Sequence, residues 1–220
     1  MTKHIQRQTE VLKQKILYVG TLVEEAIAKA IAALINRDAV LAKKVSDADN
    51  DIDRMEVDVE EECLKILALY QPVAADLRFV VAVLKINNDL ERMGDLAQNI
   101  AKRVVYLSKA DPMDLPIDFR GMAAKAQTMV KQSLDALVNS DTALARQVRG
   151  EDDEVDQARQ RIRDQIMEAI RKHPGRVEYL LKLNSVSKHL ERLADMATNV
   201  AEDVIYMVEG EIVRHQHLEE

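Results

Sequence analysis

The stretch LERMGDLAQNIAKRVVY, residues 90–106, recurs as LERLADMATNVAEDVIY at residues 190–206. The initial Leu-Glu-Arg triplet and several later Asp, Asn, Ala, Val and Tyr residues return at one constant offset of 100 positions. In both stretches the apolar residues recur mainly at steps of three and four, which is the spacing of an amphipathic helix. Chance rarely produces so many matches at a fixed offset, so the sequence indicates two copies of one helical unit.

The repeat extends toward the N-terminus of each copy at a slightly larger offset. The residues that return 103 positions later are Asn36, Asp38, Leu41, Ala42, Val45, Asp49 and Asp53. Because the offset falls from 103 to 100 further along, the second copy is three residues shorter around its second helix–helix connection. This pattern predicts an all-α fold made of two tandem, similar three-helix bundles, a six-helix array.

Proline and turn residues predict where the bundles and their helices end. We expect the first bundle at residues 1–109, a linker at 110–117 and the second bundle at 118–220, because Pro112 and Pro116 fall in the linker.

Within the first bundle, Asp38 is the expected N-cap of a second helix that ends before Gln71-Pro72. In the second bundle, the corresponding helix is expected to continue from Asp141 to Lys172.

Composition excludes several classes of protein. Lys and Arg number 31 and Asp and Glu 38, which gives a net charge of −7 and argues against a general nucleic-acid binder. The single cysteine, Cys63, excludes an internal disulfide and a cysteine-based zinc site. The longest apolar runs are far shorter than the ~20 residues of a membrane span, and no apolar signal region begins the chain. We therefore expect a cytoplasmic protein.

Acidic residues lie on shared helical faces in both copies. Glu91, Asp95 and Asn99 are four positions apart and span about 80° of one helix face. In the second helix of the first copy the stripe acids step by four, three and four residues, and none of these four has Lys or Arg at i±3 or i±4: Asp49, Asp53, Glu56 and Glu60. Carboxylates without nearby His or Cys suit hard cations such as Mg²⁺, Ca²⁺, Mn²⁺ or iron. The candidate metal ligands are Asp49, Asp53, Glu56, Glu91, Asp95 and Asn99 in the first copy, and Asp152, Asp156, Glu191, Asp195 and Asn199 in the second.

A solvated acidic face is the alternative interpretation of these residues, because charge runs on helices are usually exposed to water. Arg92 and Arg192 each stand three positions before an aspartate, so intrahelical ion pairs could account for that part of the pattern. The repetition of the acidic pairs in both copies makes metal binding and the solvated face about equally good interpretations.

The two copies differ in charge at their acidic faces. Arg159 and Arg163 stand where the first copy has Glu56 and Glu60. Since the affinity of a carboxylate site rises with its number of charged ligands, the second site is expected to attract cations less strongly than the first.

These motifs resemble the PhoU family of phosphate-transport-associated regulators over almost the whole chain. The resemblance rests on Leu90–Asp95 and Leu190–Asp195, on Gln71-Pro72 followed by Asp76-Leu77-Arg78, and on Val208-Glu209-Gly210 with Arg214-His215. It implies two three-helix bundles and a Glu/Asp-x-x-x-Asp motif in each. In some family members these motifs hold multinuclear iron or zinc clusters.

The resemblance also implies a non-enzymatic, cytoplasmic negative regulator. Such proteins link the ATPase of the phosphate ABC transporter to a membrane sensor histidine kinase, and reach the membrane only through these partners. A homodimer is possible, and iron, zinc, manganese or magnesium could be the bound metal.

Two other interpretations remain open at this stage. The acidic clusters could serve a metal-dependent hydrolase, although the sequence supplies no tuned general base or oxyanion donor set. The chain could also be a cation buffer without a signalling role.

Overall fold

The computed structural model describes residues 3–213, with side chains described from residue 5 onward except those of residues 48 and 49. The helices are α1 (Lys3–Asn36), α2 (Ala39–Tyr70), α3 (Ala74–Leu107), α4 (Phe119–Asn139), α5 (Thr142–Gly150), α6 (Asp152–Lys172) and α7 (Val177–Glu209), with a short 3₁₀ turn at Pro174–Arg176. The described residues contain no β-strand, which confirms the all-α prediction. None of the helices in the described range is both long and apolar enough to cross a membrane.

The helices form two bundles that share one core. α1, α2 and α3 pack together, as do α4, α5, α6 and α7, while α3 packs along α7 and α1 touches α4. Fully buried side chains on α3 and α7, such as Ile86, Leu90, Ile100 and Leu190, belong to the same continuous apolar cluster. The bundles are therefore joined by apolar packing as well as by their connecting segment.

The first turn of each bundle repeats in backbone detail. Arg37 has φ 54° and Ser140 has φ 53°, both in the left-handed region. The following aspartate caps the next helix in each copy: Asp38 Oδ1 accepts from the backbone N–H groups of Val40 and Leu41 at 2.9 Å, and Asp141 caps α5 in the same way. The capping role predicted for Asp38 is confirmed.

The prediction of one continuous helix from Asp141 to Lys172 is wrong, because the chain breaks it into α5 and α6 at Glu151. The N–H of Glu151 bonds to the carbonyl of Val148, which closes α5 with a tight turn. Lys125 Nζ on α4 then lies 3.1 Å from Glu151 and 2.9 Å from Glu154. The acids that open α6 also lie at the positive end of its helix dipole, which favours a helix start there.

α3 and α7 run antiparallel, and their polar contacts occupy equivalent positions of the two copies. Lys85 Nζ lies 3.3 Å from Asp203 Oδ1, and Arg103 Nε donates to Ser185 Oγ at 3.3 Å. Positions 85 and 185, and positions 103 and 203, are equivalent in the repeat. Exchanging the two copies therefore places the Lys85–Asp203 contact on the Arg103–Ser185 contact. The two ends of the α3–α7 contact are structurally equivalent.

Candidate functional site

The first acidic cluster, defined as Asp53, Glu56, Glu91 and Asp95, lies where α2 packs on α3. α2 turns Ile52 into the core, which is 3% exposed, and the helix period then leaves Asp53 and Glu56 toward the outer edge of the α2–α3 contact. Glu91 is half-buried and Asp95 is exposed on α3. The fold thus brings acids that are far apart in the sequence onto one face.

The carboxylates of the first acidic cluster repel one another. The pKa of Glu91 is raised, first by burial and then by the negative charges of Asp95, Asp53 and Glu56, while Arg92 offsets part of the rise. Because the charge of each of these three acids reaches Glu91, the four side chains share one electrostatic environment. The acids of α2 and α3 in the first copy therefore lie near one another, and their role as a shared site stays a prediction.

Glu56 is held in this environment by α3. Asn87 Nδ2 donates to the Glu56 backbone carbonyl at 2.9 Å and to its Oε1 at 3.4 Å. Burial raises the pKa of Glu56, and the charges of Glu60 and Asp53 raise it further. The buried Asn87 amide therefore fixes the register of α2 on α3 while leaving the cluster's charge uncompensated.

The second acidic cluster, defined as Asp152, Asp156, Glu191 and Asp195, lies between α6 and α7. The pKa of Asp195 is raised to about 6, first by burial and then by the charges of Asp152, Glu191 and Asp156, while Arg192 acts in the opposite direction. The α6 and α7 acids therefore assemble as their equivalents in the first bundle do.

Asp152 is a partly buried member of the second acidic cluster. Burial, followed by the charges of Asp156 and Asp153, raises its pKa, and the nearby Thr198 hydroxyl offsets part of the rise. Its Oδ1 atom is buried and has no hydrogen-bond partner among the described residues. A buried carboxylate oxygen without a partner is a position where a cation would restore the lost interaction.

Arg159 enters the second acidic cluster from α6. Its Nε lies 3.1 Å from Glu191 Oε2, and both side chains are largely buried. Arg163, the other arginine singled out by the repeat, is exposed on α6. One of the two predicted substitutions therefore acts directly on the site, and the second acidic cluster carries a built-in cation that the first lacks.

The remaining predicted ligands are placed less favourably. Asn99 is partly buried on α3, one turn beyond Asp95. Asn199 contacts Met196 Sδ at 3.9 Å through Nδ2, and it lines the groove between α3 and α7 together with Arg92. The side chain of Asp49 lies outside the described residues. Neither asparagine makes a described contact with the acids of its own bundle.

The donor chemistry of the first acidic cluster fits a hard cation. Its ligating atoms are all carboxylate oxygens, and their mutual repulsion would be relieved by a bound positive charge. Among the described residues, however, no three His, Cys, Asp or Glu side chains converge closely enough to hold one ion. The two acidic clusters therefore have carboxylate oxygens suited to a hard cation, but these side chains would have to move closer together to bind one. Metal binding stays a prediction.

Polar groups between the bundles were missed by sequence reasoning. Asp203 is only 1% exposed and Asp89 is 8% exposed, and Lys85 reaches Asp203 across the α3–α7 contact. The signal was present, since Asp203 interrupts an otherwise apolar α7 face between Val200 and Val204. The helical period does not show which basic side chain on another helix pairs with Asp203.

Comparison with known proteins agrees with the two-bundle architecture. The sequence pattern of the family described as PhoU domain matches residues 16–104 and again residues 119–204. This chain belongs to the PhoU family. The two matched segments correspond to the two copies that the internal repeat predicts, so the PhoU family resemblance is confirmed.

Relatives within the PhoU family match the chain over nearly its full length. A phosphate-specific transport system accessory protein PhoU homolog from Aquifex aeolicus is 40% identical over 214 residues, which are 97% of each chain. The crystal structure of PhoU from Pseudomonas aeruginosa superposes with a TM-score of 0.90 at 34% identity, covering 94% of this chain and 99% of that one. The phosphate transport system regulatory protein PhoU from Streptococcus pneumoniae superposes with a TM-score of 0.86 at 28% identity, covering 95% and 99%.

Proposed function

We propose that this chain regulates phosphate uptake and the phosphate-starvation response by binding other proteins, without catalysing a reaction itself. The observation that carries the proposal is the near full-length relationship to proteins named as accessory and regulatory components of the phosphate-specific transport system. In this role the chain acts in the cytoplasm as a negative regulator. It contacts the ATPase of the phosphate ABC transporter and a sensor histidine kinase when phosphate is plentiful.

Metal binding by the acidic clusters is the second part of the proposal. Asp53, Glu56, Glu91 and Asp95 would hold a cation such as iron, zinc, manganese or magnesium. The ion would supply positive charge that joins α2 to α3 and relieves the carboxylate repulsion that, after burial, raises the pKa of Glu91. The second acidic cluster would bind more weakly, because the Arg159 guanidinium already neutralises part of its charge.

Exposed apolar side chains support protein binding at the end of the first bundle. Leu69, Val73 and Leu77 follow one another through the turn from α2 to α3 and are 67%, 73% and 40% exposed. Apolar side chains left in water around one turn favour a protein contact that covers them. We propose this turn as part of the surface that docks on the partners.

A pull-down with the transporter ATPase and the cytoplasmic part of the sensor kinase tests the proposal. We expect both to be retained by the chain, and retention to fall for Leu69→Ser with Val73→Ser. Val40→Ser is the matched control, because Val40 is 69% exposed on α2 but lies at the opposite end of that helix. Failure of the wild-type chain to retain either partner would contradict the regulatory role, while equal loss in the control would contradict the assigned surface.

A further inference from the structure

The groove between α3 and α7 has opposite charge at its two equivalent ends. One end is a cavity of about 680 Å³ lined by Asp89, Glu202 and Asp203 together with Lys85 and Arg92. Exchange of the two copies relates this end to the opposite end of the α3–α7 contact, where Arg103 meets Ser185. The repeat therefore identifies which residues occupy the equivalent place.

Three acidic positions become basic or imidazole positions at the second end. At an offset of 100, Asp89 corresponds to His189, Glu202 to Lys102 and Asp203 to Arg103. The neutral position 88 becomes Lys188, and Arg92 is kept as Arg192. We call Lys102, Arg103, Lys188, His189 and Arg192 the basic end of the groove.

Contacts within the basic end bring α3 and α7 together around a hydroxyl and an imidazole. Arg103 Nε donates to Ser185 Oγ at 3.3 Å, and Ser185 Oγ lies 3.2 Å from His189 Nε2. The pKa of His189 is lowered to about 4, first by burial and then by the charges of Arg103, Arg192 and Lys188. The ring is therefore neutral at physiological pH and lies near three cations.

The basic end lacks the carboxylate partners that the acidic end has. At the acidic end, Lys85 pairs with Asp203 at 3.3 Å and Arg92 reaches Asp89 at 3.9 Å. Within the described part of the chain, none of Lys102, Arg103, Lys188 and Arg192 lies within 4 Å of an acidic oxygen.

His189 adds a ring nitrogen without a hydrogen-bond partner to the basic end of the groove. Its Nδ1 atom is buried and has no hydrogen-bond partner among the described residues. A chain of net charge −7 thus concentrates four cations at the basic end without an acidic partner among the described residues, although Lys102 Nζ donates to Gln98 Oε1. Such a concentration of positive charge favours an anionic ligand.

We propose that the basic end of the α3–α7 groove binds a small phosphate-bearing anion. The planar guanidinium of Arg103 matches the oxygens of a phosphate group, and Lys188 and Arg192 add charge at the rim. The Ser185 hydroxyl and the neutral His189 ring can donate to further oxygens. This arrangement offers several donors from two helices to one tetrahedral group.

The proposed ligand could be free phosphate, an oligophosphate or the phosphate chain of a nucleotide, which share the recognised chemistry. The inference goes beyond the proposed regulatory function and does not depend on it, because binding is measured on the chain alone. It is also separate from the acidic clusters. Chelator treatment removes bound metal, so phosphate cannot be held through a metal ion in those clusters during the measurement.

Titration calorimetry on the chelator-treated chain at low salt tests the proposal, with inorganic phosphate, tripolyphosphate and ATP as separate ligands. We expect saturable binding of at least one, weakened as salt is added. If inorganic phosphate binds with the same affinity as tripolyphosphate and ATP, the site is assigned to free phosphate. Tighter tripolyphosphate binding assigns an oligophosphate site, and ATP binding tighter than tripolyphosphate assigns a nucleotide site.

Substitutions at the basic end localise the binding. Arg103→Gln with Lys188→Gln should weaken binding about tenfold or more, because charged hydrogen bonds are lost. Arg163→Gln with Arg171→Gln removes the same charge from the exposed α6 surface and should leave affinity unchanged.

Lys188→Gln alone, at an exposed position, should weaken binding without altering the melting temperature, so a folding defect in the double variant does not decide the result. The resonances of the His189 ring should also shift on adding the ligand. Absence of saturable binding with all three anions, or equal loss in the α6 control, would overturn the proposal.

Discussion

Arg159 Nε lies 3.1 Å from Glu191 Oε2, at the place where the first bundle presents Glu56 to Glu91. The first acidic cluster therefore has no ion pair within 4 Å among the described residues, with only a partial offset from Arg92, and the second acidic cluster carries an internal ion pair. Since carboxylate sites gain cation affinity with each added negative charge, this single exchange separates the expected strengths of the two clusters.

Removing acids from the two clusters should have unequal effects on metal binding. Asp53→Ala with Asp95→Ala should abolish the tighter binding event, and Asp156→Ala with Asp195→Ala the weaker one, because the first cluster has the larger net negative charge. Both variants should fold, since they relieve repulsion between like charges. Titration calorimetry with Mn²⁺ on chelator-treated protein measures both affinities.

Arg159→Glu should strengthen metal binding by the second acidic cluster. It restores the charge pattern of the first cluster in the second, so the weaker affinity should rise toward the tighter one. Equal affinities in the two Asp→Ala double variants, or loss of the tighter event from the second pair, would show that net charge does not distinguish the sites.

The contribution of Asp195 to the stability of the metal-free chain should fall as pH rises from about 4 to 6. Asp195 has a pKa of about 6 when folded against the ordinary 3.8, so the folded state binds more protons than the unfolded state in this window. The free-energy cost of ionising Asp195 in the folded state is then fully present at pH 7. Asp195→Asn should remove it and raise the free energy of unfolding at pH 7 by roughly 1–2 kcal/mol, after allowance for solvent screening.

Urea unfolding at pH 4 and pH 7 in the presence of a chelator measures the effect of Asp195→Asn. Ser185→Ala is a suitable control, because it leaves the charge of the second acidic cluster unchanged. An unchanged pH dependence in Asp195→Asn would place the raised pKa elsewhere.

Lys85→Met should destabilise the contact between the bundles. The change leaves the almost fully buried Asp203 without this cation, and breaking a buried pair costs up to roughly 3 kcal/mol when one partner remains charged. Lys182→Met is a matched control, because each lysine lies 5.2 Å from a tyrosine ring centre, Lys85 over Tyr206 and Lys182 over Tyr106. Thermal unfolding should show a clearly lower Tm for Lys85→Met than for Lys182→Met, and similar values would argue against a role for Asp203.

Arg37→Ala should loosen the segment that connects the bundles. Its guanidinium donates to the carbonyls of Leu107 and Ala110 at 2.5 and 2.6 Å and to the Tyr179 hydroxyl at 3.1 Å. Losing these partly buried bonds should cost roughly 2–3 kcal/mol and speed tryptic cleavage at Lys109. Ser140→Ala, at the equivalent left-handed position, should leave cleavage unchanged; a wild-type cleavage rate in Arg37→Ala would rule out this anchoring.

Local sequence signals predicted the features that depend on neighbouring residues. Helix ends at Asn36 and Tyr70, the cap at Asp38 and the facing acids all follow from periodicity, turn chemistry and the internal repeat. These features are repeated in both copies, which reinforces each signal.

The features that escaped prediction depend on partners distant in the chain. The break at Glu151 is accompanied by an ion pair to Lys125 from α4, which no local pattern specifies, and a helical period continues through the break without any proline to mark it. The pairing of Lys85 with Asp203 requires the register of α3 on α7, which no local pattern specifies. Tertiary contacts overrode local preference at both places.

The exchange of Lys85–Asp203 for Arg103–Ser185 bears on how such a molecule arises by gene duplication. A dimer of identical single bundles would have to place the same residues at both ends of its isologous interface. Two bundles of different sequence are free of that restriction, so one end can be acidic and the other basic. Carrying both bundles in one polypeptide therefore gives this fold a directional axis that a homodimer of single bundles cannot have.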